Sequence, residues 1–221
     1  MSPDDLRDLA LRAGRELEGA PARDVLAWAV ETFGRRFAIA SSMETGVLAH
    51  LVSTVAPGVD VLFLDTGYHF AETIGTRDAV AAVYDVTVRT ISAGLPDDRL
   101  YERDTDLCCK LRKVDPLDAA LGDYDAWASG VRRDESPTRA DTPVVGWDAK
   151  RGKVKVSPLA AWTQAEFDAY VAEHGILVNP LLLDGYPSIG CAPCTQRVAP
   201  GADPRSGRWA GTGKTECGLH V

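Results

Sequence analysis

Short apolar runs alternate with longer amphipathic ones through the first half of the chain, and this alternation limits the fold more than any other feature. Phe37-Ala38-Ile39-Ala40, Val59-Asp60-Val61-Leu62-Phe63-Leu64 and Val86-Thr87-Val88-Arg89-Thr90-Ile91 read as strands bounded by turn residues. The runs Val47 to Val55 and His69 to Tyr84 between them have helical periodicity. Two more amphipathic helices, Pro3 to about Leu17 and Ala22 to about Phe33, precede the first strand. Strands separated by helices cannot pair as hairpins. They form a mostly parallel sheet flanked by helices on both faces, a Rossmann-like α/β fold. Asp125 to Ser129 and Lys153 to Val156 read as further strands, and Thr163-Gln164-Ala165-Glu166 is a capping box opening a helix that stops at Gly175. From Pro200 onward, Gly, Pro, Arg and Lys replace apolar periodicity. The expected organisation is N-terminal helices over 1–35, an α/β body over 36–199 and a mobile C-terminal tail over 200–221.

Composition narrows the class. A chain of 221 residues can bury a substantial core as one large domain. No apolar run reaches membrane-spanning length, and the acidic start Met1-Ser2-Pro3-Asp4-Asp5 is unlike an export signal. The expected location is the cytoplasm, with no membrane partner. That compartment is reducing, so disulfides explain the five cysteines poorly. With 24 basic and 32 acidic residues the net charge is −8, which argues against nucleic acid as a partner but leaves room for a local anion site.

The cysteines fall into two groups. Cys108-Cys109 and Cys191-Ala192-Pro193-Cys194 provide four thiolates in two pairs, a ligand set for an iron–sulfur cluster or a structural zinc ion. An adjacent Cys-Cys pair is unusual for zinc, whose sites favour a spacer of about two to four residues. Cys217 stands apart, in Lys214-Thr215-Glu216-Cys217-Gly218-Leu219-His220, where glycines give the backbone freedom and a histidine follows. This division points to a metal or cluster site in the body and a reactive thiol near the C-terminus.

Ligands of such sheets bind where strands end at the topological switch point. Two loops qualify, Ser41-Ser42-Met43-Glu44-Thr45 and Asp65-Thr66-Gly67, although the first lacks both the glycines of a dinucleotide fingerprint and the lysine of a P-loop. Lys110, Arg112 and Lys113 follow the cysteine pair, Arg132-Arg133 follows a strand end, and Arg205 and Arg208 flank Ser206-Gly207. Most Lys and Arg are solvated surface charge. Paired arginines at a strand end and in a glycine-rich segment rise above that, because guanidinium forks match phosphate and sulfate. His69 is placed either to meet a ligand or to cap its helix, His50 and His174 read as helix-face residues, and Trp28, Trp127 and Trp162 read as core.

Together, Cys108-Cys109, Gly130-Val131-Arg132-Arg133-Asp134, Cys191-Ala192-Pro193-Cys194 and Glu216-Cys217-Gly218-Leu219-His220 resemble assimilatory adenylylsulfate reductases, the iron–sulfur branch of the sulfonucleotide reductases. The resemblance runs from about Phe37 to His220, with Asp65-Thr66-Gly67 in register. It implies a fold like the adenine nucleotide alpha hydrolases and a [4Fe-4S] cluster on Cys108, Cys109, Cys191 and Cys194. It also implies reduction of adenylylsulfate to sulfite and AMP, with thioredoxin or glutaredoxin as electron donor and a homo-oligomer left open. Cys217 would attack the sulfur and carry an S-sulfonate, with His220 and Lys113 as catalytic partners. Ser41, Ser42, Asp65, Gly67, Arg112, Arg132, Arg205 and Arg208 are the substrate-binding candidates. Glycines present in related loops are missing from Ser41 to Thr45, which fits a loop that meets one phosphosulfate instead of wrapping a pyrophosphate. The rival readings are a phosphoadenylylsulfate or dual-specificity reductase, a tRNA-thiolating enzyme, which would need those glycines, and a zinc-binding nucleotide-binding module, which leaves Cys217 and His220 without purpose.

Overall fold

The computed structural model describes residues 1–219. Its strands are β1 (Phe37–Ala40), β2 (Val59–Asp65), β3 (Val86–Ser92), β4 (Ala126–Ser129), β5 (Val145–Asp148) and β6 (Lys153–Val156). They form one sheet in the order β3-β2-β1-β4-β6-β5. β1 lies parallel to both β2 and β4, placing Ile39 between Val61 and Ala128, and β5 returns antiparallel on β6. The chain leaves β1 toward one edge of the sheet and β4 toward the other, so the switch point lies between them. The loops that follow, from Ser41 and from Gly130, border that crevice.

Side-chain alternation divides the core into two layers. On one face, Ile39, Val61, Phe63, Ala128, Val154 and Val156 are buried with α1 (Pro3–Glu16), α2 (Ala22–Phe33), α3 (Val47–Val55) and α4 (Ala71–Val83). On the other, Ala38, Leu62 and Trp127 meet Leu117 of α7 (Asp115–Ala120) together with Leu121 and Tyr124. Each large apolar side chain removed from water contributes about 1.5–3 kcal/mol. Trp127 is fully buried, whereas Trp28 and Trp162 are half-buried at the margin of the first layer.

Local chemistry explains the boundaries. Ser2 accepts a hydrogen bond from the Asp5 backbone (3.2 Å) and its own N–H donates to the Asp5 carboxylate (2.9 Å), opening α1 with Pro3 at the first position. The expected capping box at Thr163 opens α8 (Gln164–His174), which ends at Gly175 in the left-handed region. α4 starts at Ala71 and not at His69, because the His69 ring is drawn to the Leu64 carbonyl (2.8 Å) and stacks on Phe63. β5 escaped the sequence pattern, being a short edge strand interrupted by Gly146.

The segment beyond Pro200 does not stand off the body as the composition led one to expect. Gln196 donates to the Gly207 carbonyl (2.9 Å), Trp209 donates to the Cys194 carbonyl (2.9 Å), and the Trp209 side chain is buried. Gly207 is needed for this approach, since a Cβ there would lie 2.2 Å from the Gln196 carbonyl oxygen.

Another close approach tests the architecture. A Cβ on Gly14 of α1 would lie 2.4 Å from the Val145 carbonyl of β5. Gly14→Ala is therefore expected to destabilise the protein by about 1–3 kcal/mol in urea unfolding. A gain of stability, as helix propensity alone would give, would show that α1 does not rest on β5 in this way.

Candidate active site

Two short helices, α5 (Leu100–Arg103) and α6 (Thr105–Cys109), lead into the site. Asp104 caps α6 by accepting from the Leu107 N–H (2.8 Å), so the helix delivers Cys108 and Cys109 at its C-terminal end, both buried. The chain continues as a π-helical turn, Lys110–Val114, which redirects the cations that follow. Cys191 and Cys194 come from the opposite side, on a single 3₁₀ turn. That turn is tied to the loop after β2: Ala192 donates to the Tyr68 carbonyl (2.7 Å), and the Thr66 hydroxyl lies 3.3 Å from the Cys191 sulfur.

All four thiols line one cavity, which also includes Thr66, Tyr68, Lys113, Arg208 and Trp209 and, among the described residues, has neither a carboxylate nor an imidazole in its wall. Burial, reinforced by the neighbouring sulfurs Cys109 and Cys191, pushes the Cys108 thiol up. Burial likewise raises Cys109, against Lys113 and Lys214, and pushes Cys194 up to about 11. Such thiols ionise near neutrality only when a cationic centre binds them. Among the described residues, no three His, Cys, Asp or Glu side chains converge as ligands of a single ion. Four thiols around one cavity are a soft donor set that a metal ion or a metal cluster could take.

Cys217 is half-buried and separate from those thiols. Lys113 connects the two regions: burial disfavours its charge, but Cys191, Cys217 and Cys109 together raise its pKa. Residues around Cys217 are held firmly. Lys214 pairs with Asp106, and Arg151 donates to the Leu219 carbonyl (3.2 Å). The Glu216 carboxylate receives Arg139 in bidentate fashion (Nε 2.8 Å, Nη2 2.9 Å), with Thr138 and Arg205 both at 3.3 Å. Burial opposes the Glu216 charge, yet Arg139 and Arg205 hold its pKa below the ordinary value. His220 lies outside the described residues.

The expected anion-binding residues divide. Arg208 reaches the thiol cavity, stacks on Trp209 (4.5 Å) and donates to Ser188 (3.3 Å) and the Ile189 carbonyl (3.2 Å), leaving its buried Nε without a partner among the described residues. A Cβ on Gly190 would fall 2.3 Å from Arg208 Nη2, so the guanidinium lies in a glycine-lined cradle. Arg132 stacks on Phe167 (4.5 Å) and donates to Gln164 (2.6 Å), with buried Nη1 unpartnered among the described residues. Arg205 is engaged by the Thr215 carbonyl (3.0 Å) and Glu216 instead of standing open. Arg112 is also committed: it donates to the carbonyls of Thr66 (3.1 Å), Leu95 and Pro96, pairs with Asp98 and lies over Tyr68, so it clamps two loops beside the thiols.

The loop after β1 folds back on itself. Ser41 accepts from the Met43 N–H (3.2 Å), Ser42 is exposed, and Glu44 accepts from the Ile189 N–H (2.8 Å), joining this loop to the cysteine-bearing one. Burial raises the Glu44 pKa. Asp65 closes its turn by accepting from the Gly67 N–H (2.9 Å), and Gly67 adopts φ 76° as that turn requires. His69 does not cap its helix: it is a half-buried ring held by the Leu64 carbonyl, and desolvation lowers its pKa. His50 instead meets Tyr170 (2.8 Å) away from the site. Arg139 and Lys155 were missed by sequence reading. Lys155 lies over Trp127 (5.3 Å), and burial brings its pKa down to about 8.

Residues 36–197 match the family described as the phosphoadenosine phosphosulfate reductase domain. Adenosine 5'-phosphosulfate reductases of Streptomyces coelicolor and Mycolicibacterium smegmatis are 62% and 56% identical, each over 98% of this chain and 95% of the relative. The crystal structure of a phosphoadenylyl-sulfate reductase from Candida auris aligns with a TM-score of 0.72 at 29% identity, covering 86% of this chain and 96% of that one. Candida glabrata FMN adenylyltransferase, at 11% identity and a TM-score of 0.58, shares the fold.

The depressed Glu216 pKa fixes a pH dependence. Its stabilising contribution is present above the unfolded value of 4.5 and is lost as pH falls through the lower folded value. Glu216→Gln is therefore expected to cost stability near pH 7, and the difference from wild type should shrink in urea unfolding below pH about 4.5. A pH-independent difference would place the Glu216 carboxylate outside the Arg139 pair.

Proposed function

The chain belongs to the phosphoadenosine phosphosulfate reductase domain family, and from that premise we propose that it reduces adenosine 5'-phosphosulfate to sulfite and AMP in assimilatory sulfate reduction. The observation that carries the chemistry is the separation of four cavity-lining thiols from a fifth, Cys217, with Lys113 influenced by both.

The substrate's sulfur is joined to AMP through a mixed phosphate–sulfate anhydride. The Cys217 thiolate attacks that sulfur, a Cys217 S–S bond to the sulfonate forms, and the sulfur–oxygen bond breaks with its electron pair leaving on the AMP phosphate. A thiolate of a thioredoxin-type donor then attacks Cys217 Sγ and expels sulfite. This leaves a mixed disulfide, which the donor's second thiol resolves, and the two electrons come from the donor dithiol. Lys113 supports the thiolate, while Lys113 and Arg208 offset charge on the departing phosphate and sulfonate. Arg132, Arg205, Ser41, Ser42, Asp65 and Gly67 are the further candidates for substrate contact. His220 is the remaining catalytic candidate.

Cys108, Cys109, Cys191 and Cys194 would hold a [4Fe-4S] cluster, whose donor-set chemistry the cavity matches. Bound there, such a cluster would tie the C-terminal end of α6 to the turn carrying Cys191 and Cys194 and would supply charge for Lys113 to offset. In domain terms, residues 36–199 provide the nucleotide and cluster body and residues 200–221 bring the nucleophile.

Two experiments separate these roles. Replacing any one of the four cavity cysteines with Ser is expected to lower iron content, absorbance near 400 nm and turnover together. Cys217→Ser should retain iron and AMP binding yet lose sulfite production, because a hydroxyl is a far weaker nucleophile and cannot form the second-step disulfide. Full iron loading in the first set, or sulfite release by the second variant, would refute the assignment.

The Gly190 cradle gives a further expectation. Arg208→Ala should reduce kcat/KM by about 1.5–3 kcal/mol, the worth of a charge-assisted hydrogen bond. Gly190→Ala should displace the same guanidinium, so adding it to Arg208→Ala should cost little more. Fully additive losses would mean that Gly190 acts through something other than Arg208.

A further inference from the structure

A carboxylate directly beside a nucleophilic thiol is unfavourable by itself, since its field opposes thiolate formation. The structure shows what offsets it. Glu216 is buried to 12% side-chain exposure against Arg139 at 13% and Arg205 at 14%, and Arg139 also pairs with Glu135. Arg132 also pairs with Glu135 (3.5 Å), so three guanidiniums face the two carboxylates and offset their field beside Cys217. Bidentate pairing fixes orientation as well as distance, and Cys217 is the next residue along the backbone. The Lys214–Asp106 pair on one side and the Arg151–Leu219 carbonyl bond on the other complete the restraint.

We infer that Arg139 is a positioning residue for the reaction, setting the place of Cys217 by gripping the adjacent Glu216 as a releasable latch. This rests on Cys217 being the nucleophile of the first step. The latch has two consequences. While closed, it holds the sulfur at the angle and distance that attack on the substrate needs, where an error of about 1 Å costs up to about a hundredfold in rate. While open, it frees the thiol for a protein donor, whose own active site must reach Cys217 Sγ. An ion pair suits that duty better than an apolar anchor, because water re-solvates both charges when the segment lifts.

The test uses full-length, cluster-loaded protein and the variants Arg139→Gln, Glu216→Gln and Arg139→Lys, the last keeping the charge but not the fork. Four quantities are measured: AMP release in a single turnover without reductant, equilibrium affinity for AMP, the rate of Cys217 alkylation by iodoacetamide, and sulfite release from pre-sulfonated protein by dithiothreitol. Arg139→Gln and Glu216→Gln should slow AMP release by about tenfold to a hundredfold, and Arg139→Lys by less. AMP affinity should stay within about twofold. Cys217 alkylation should accelerate, and sulfite release should be as fast as in wild type or faster. A merely structural role would not slow one half-reaction while speeding access to the same sulfur. The double variant Arg139→Gln/Glu216→Gln should be no slower than either single one. Unchanged AMP release and alkylation in both single variants, or additive losses in the double, would overturn the latch. Wild-type protein that gains no sulfonate on Cys217 would instead overturn the nucleophile assignment on which the latch rests.

Discussion

Four thiols enclosed in one cavity, where burial opposes the charge of Cys108, Cys109 and Cys194, are the constraint on which the rest of this structure depends. Cys108 and Cys109 arrive from the segment after β3, and Cys191 and Cys194 from the loop after α8, so the cavity joins distant parts of the chain. Every loop that approaches it is fastened to another: Thr66 to Cys191, Ala192 to Tyr68, Glu44 to Ile189, and Arg112 across the 66–68 and 95–98 loops. Burying so many polar groups is tolerable because most of them find a partner. A soft metal centre is what would give the thiols theirs.

Around that centre the protein balances charge locally, although its net charge is −8. Lys113 is raised by sulfurs, Glu216 is lowered by arginines, and burial brings Lys155 down to about 8. The substrate is an anion and the nucleophile becomes one, so the site keeps cations in reserve. Arg208 and Arg132 each retain a buried nitrogen without a partner among the described residues, a costly arrangement unless a ligand completes it. No helix among the described residues is long and apolar enough to cross a membrane.

Much of this was legible in the sequence, for reasons that differ by residue. β1 and α3 read correctly because strand and helix periodicities differ sharply over short apolar runs, and the Thr163 capping box is a local signal that tertiary contacts did not override. The spacing of the cysteines separated two groups, and the structure brings Cys108, Cys109, Cys191 and Cys194 to one cavity. β5 was lost because a four-residue edge strand containing Gly146 has too little pattern. Arg139 was invisible: in Pro137-Thr138-Arg139 it looks like solvated charge, and its worth comes from a carboxylate 77 positions away. At Arg112 and Arg205 the sequence showed the positive charge but not the protein partners that also hold it, the carbonyls of Thr66 and Pro96 for Arg112 and the Thr215 carbonyl and Glu216 for Arg205. The segment after Pro200 carries a contact that its glycines and cations hide in the sequence, the buried Trp209 that ties it to Cys194.

The account's central claim is that Cys217 alone takes the sulfonyl group while the four cavity thiols remain ligands. Intact-mass and peptide-mapping analysis of cluster-loaded wild-type protein, mixed with adenosine 5'-phosphosulfate and no reductant, tests it most directly. The account predicts one AMP released per protein molecule and one sulfonate, mapped to Cys217. A sulfonate on Cys108, Cys109, Cys191 or Cys194, or AMP release with no covalent adduct, would contradict it.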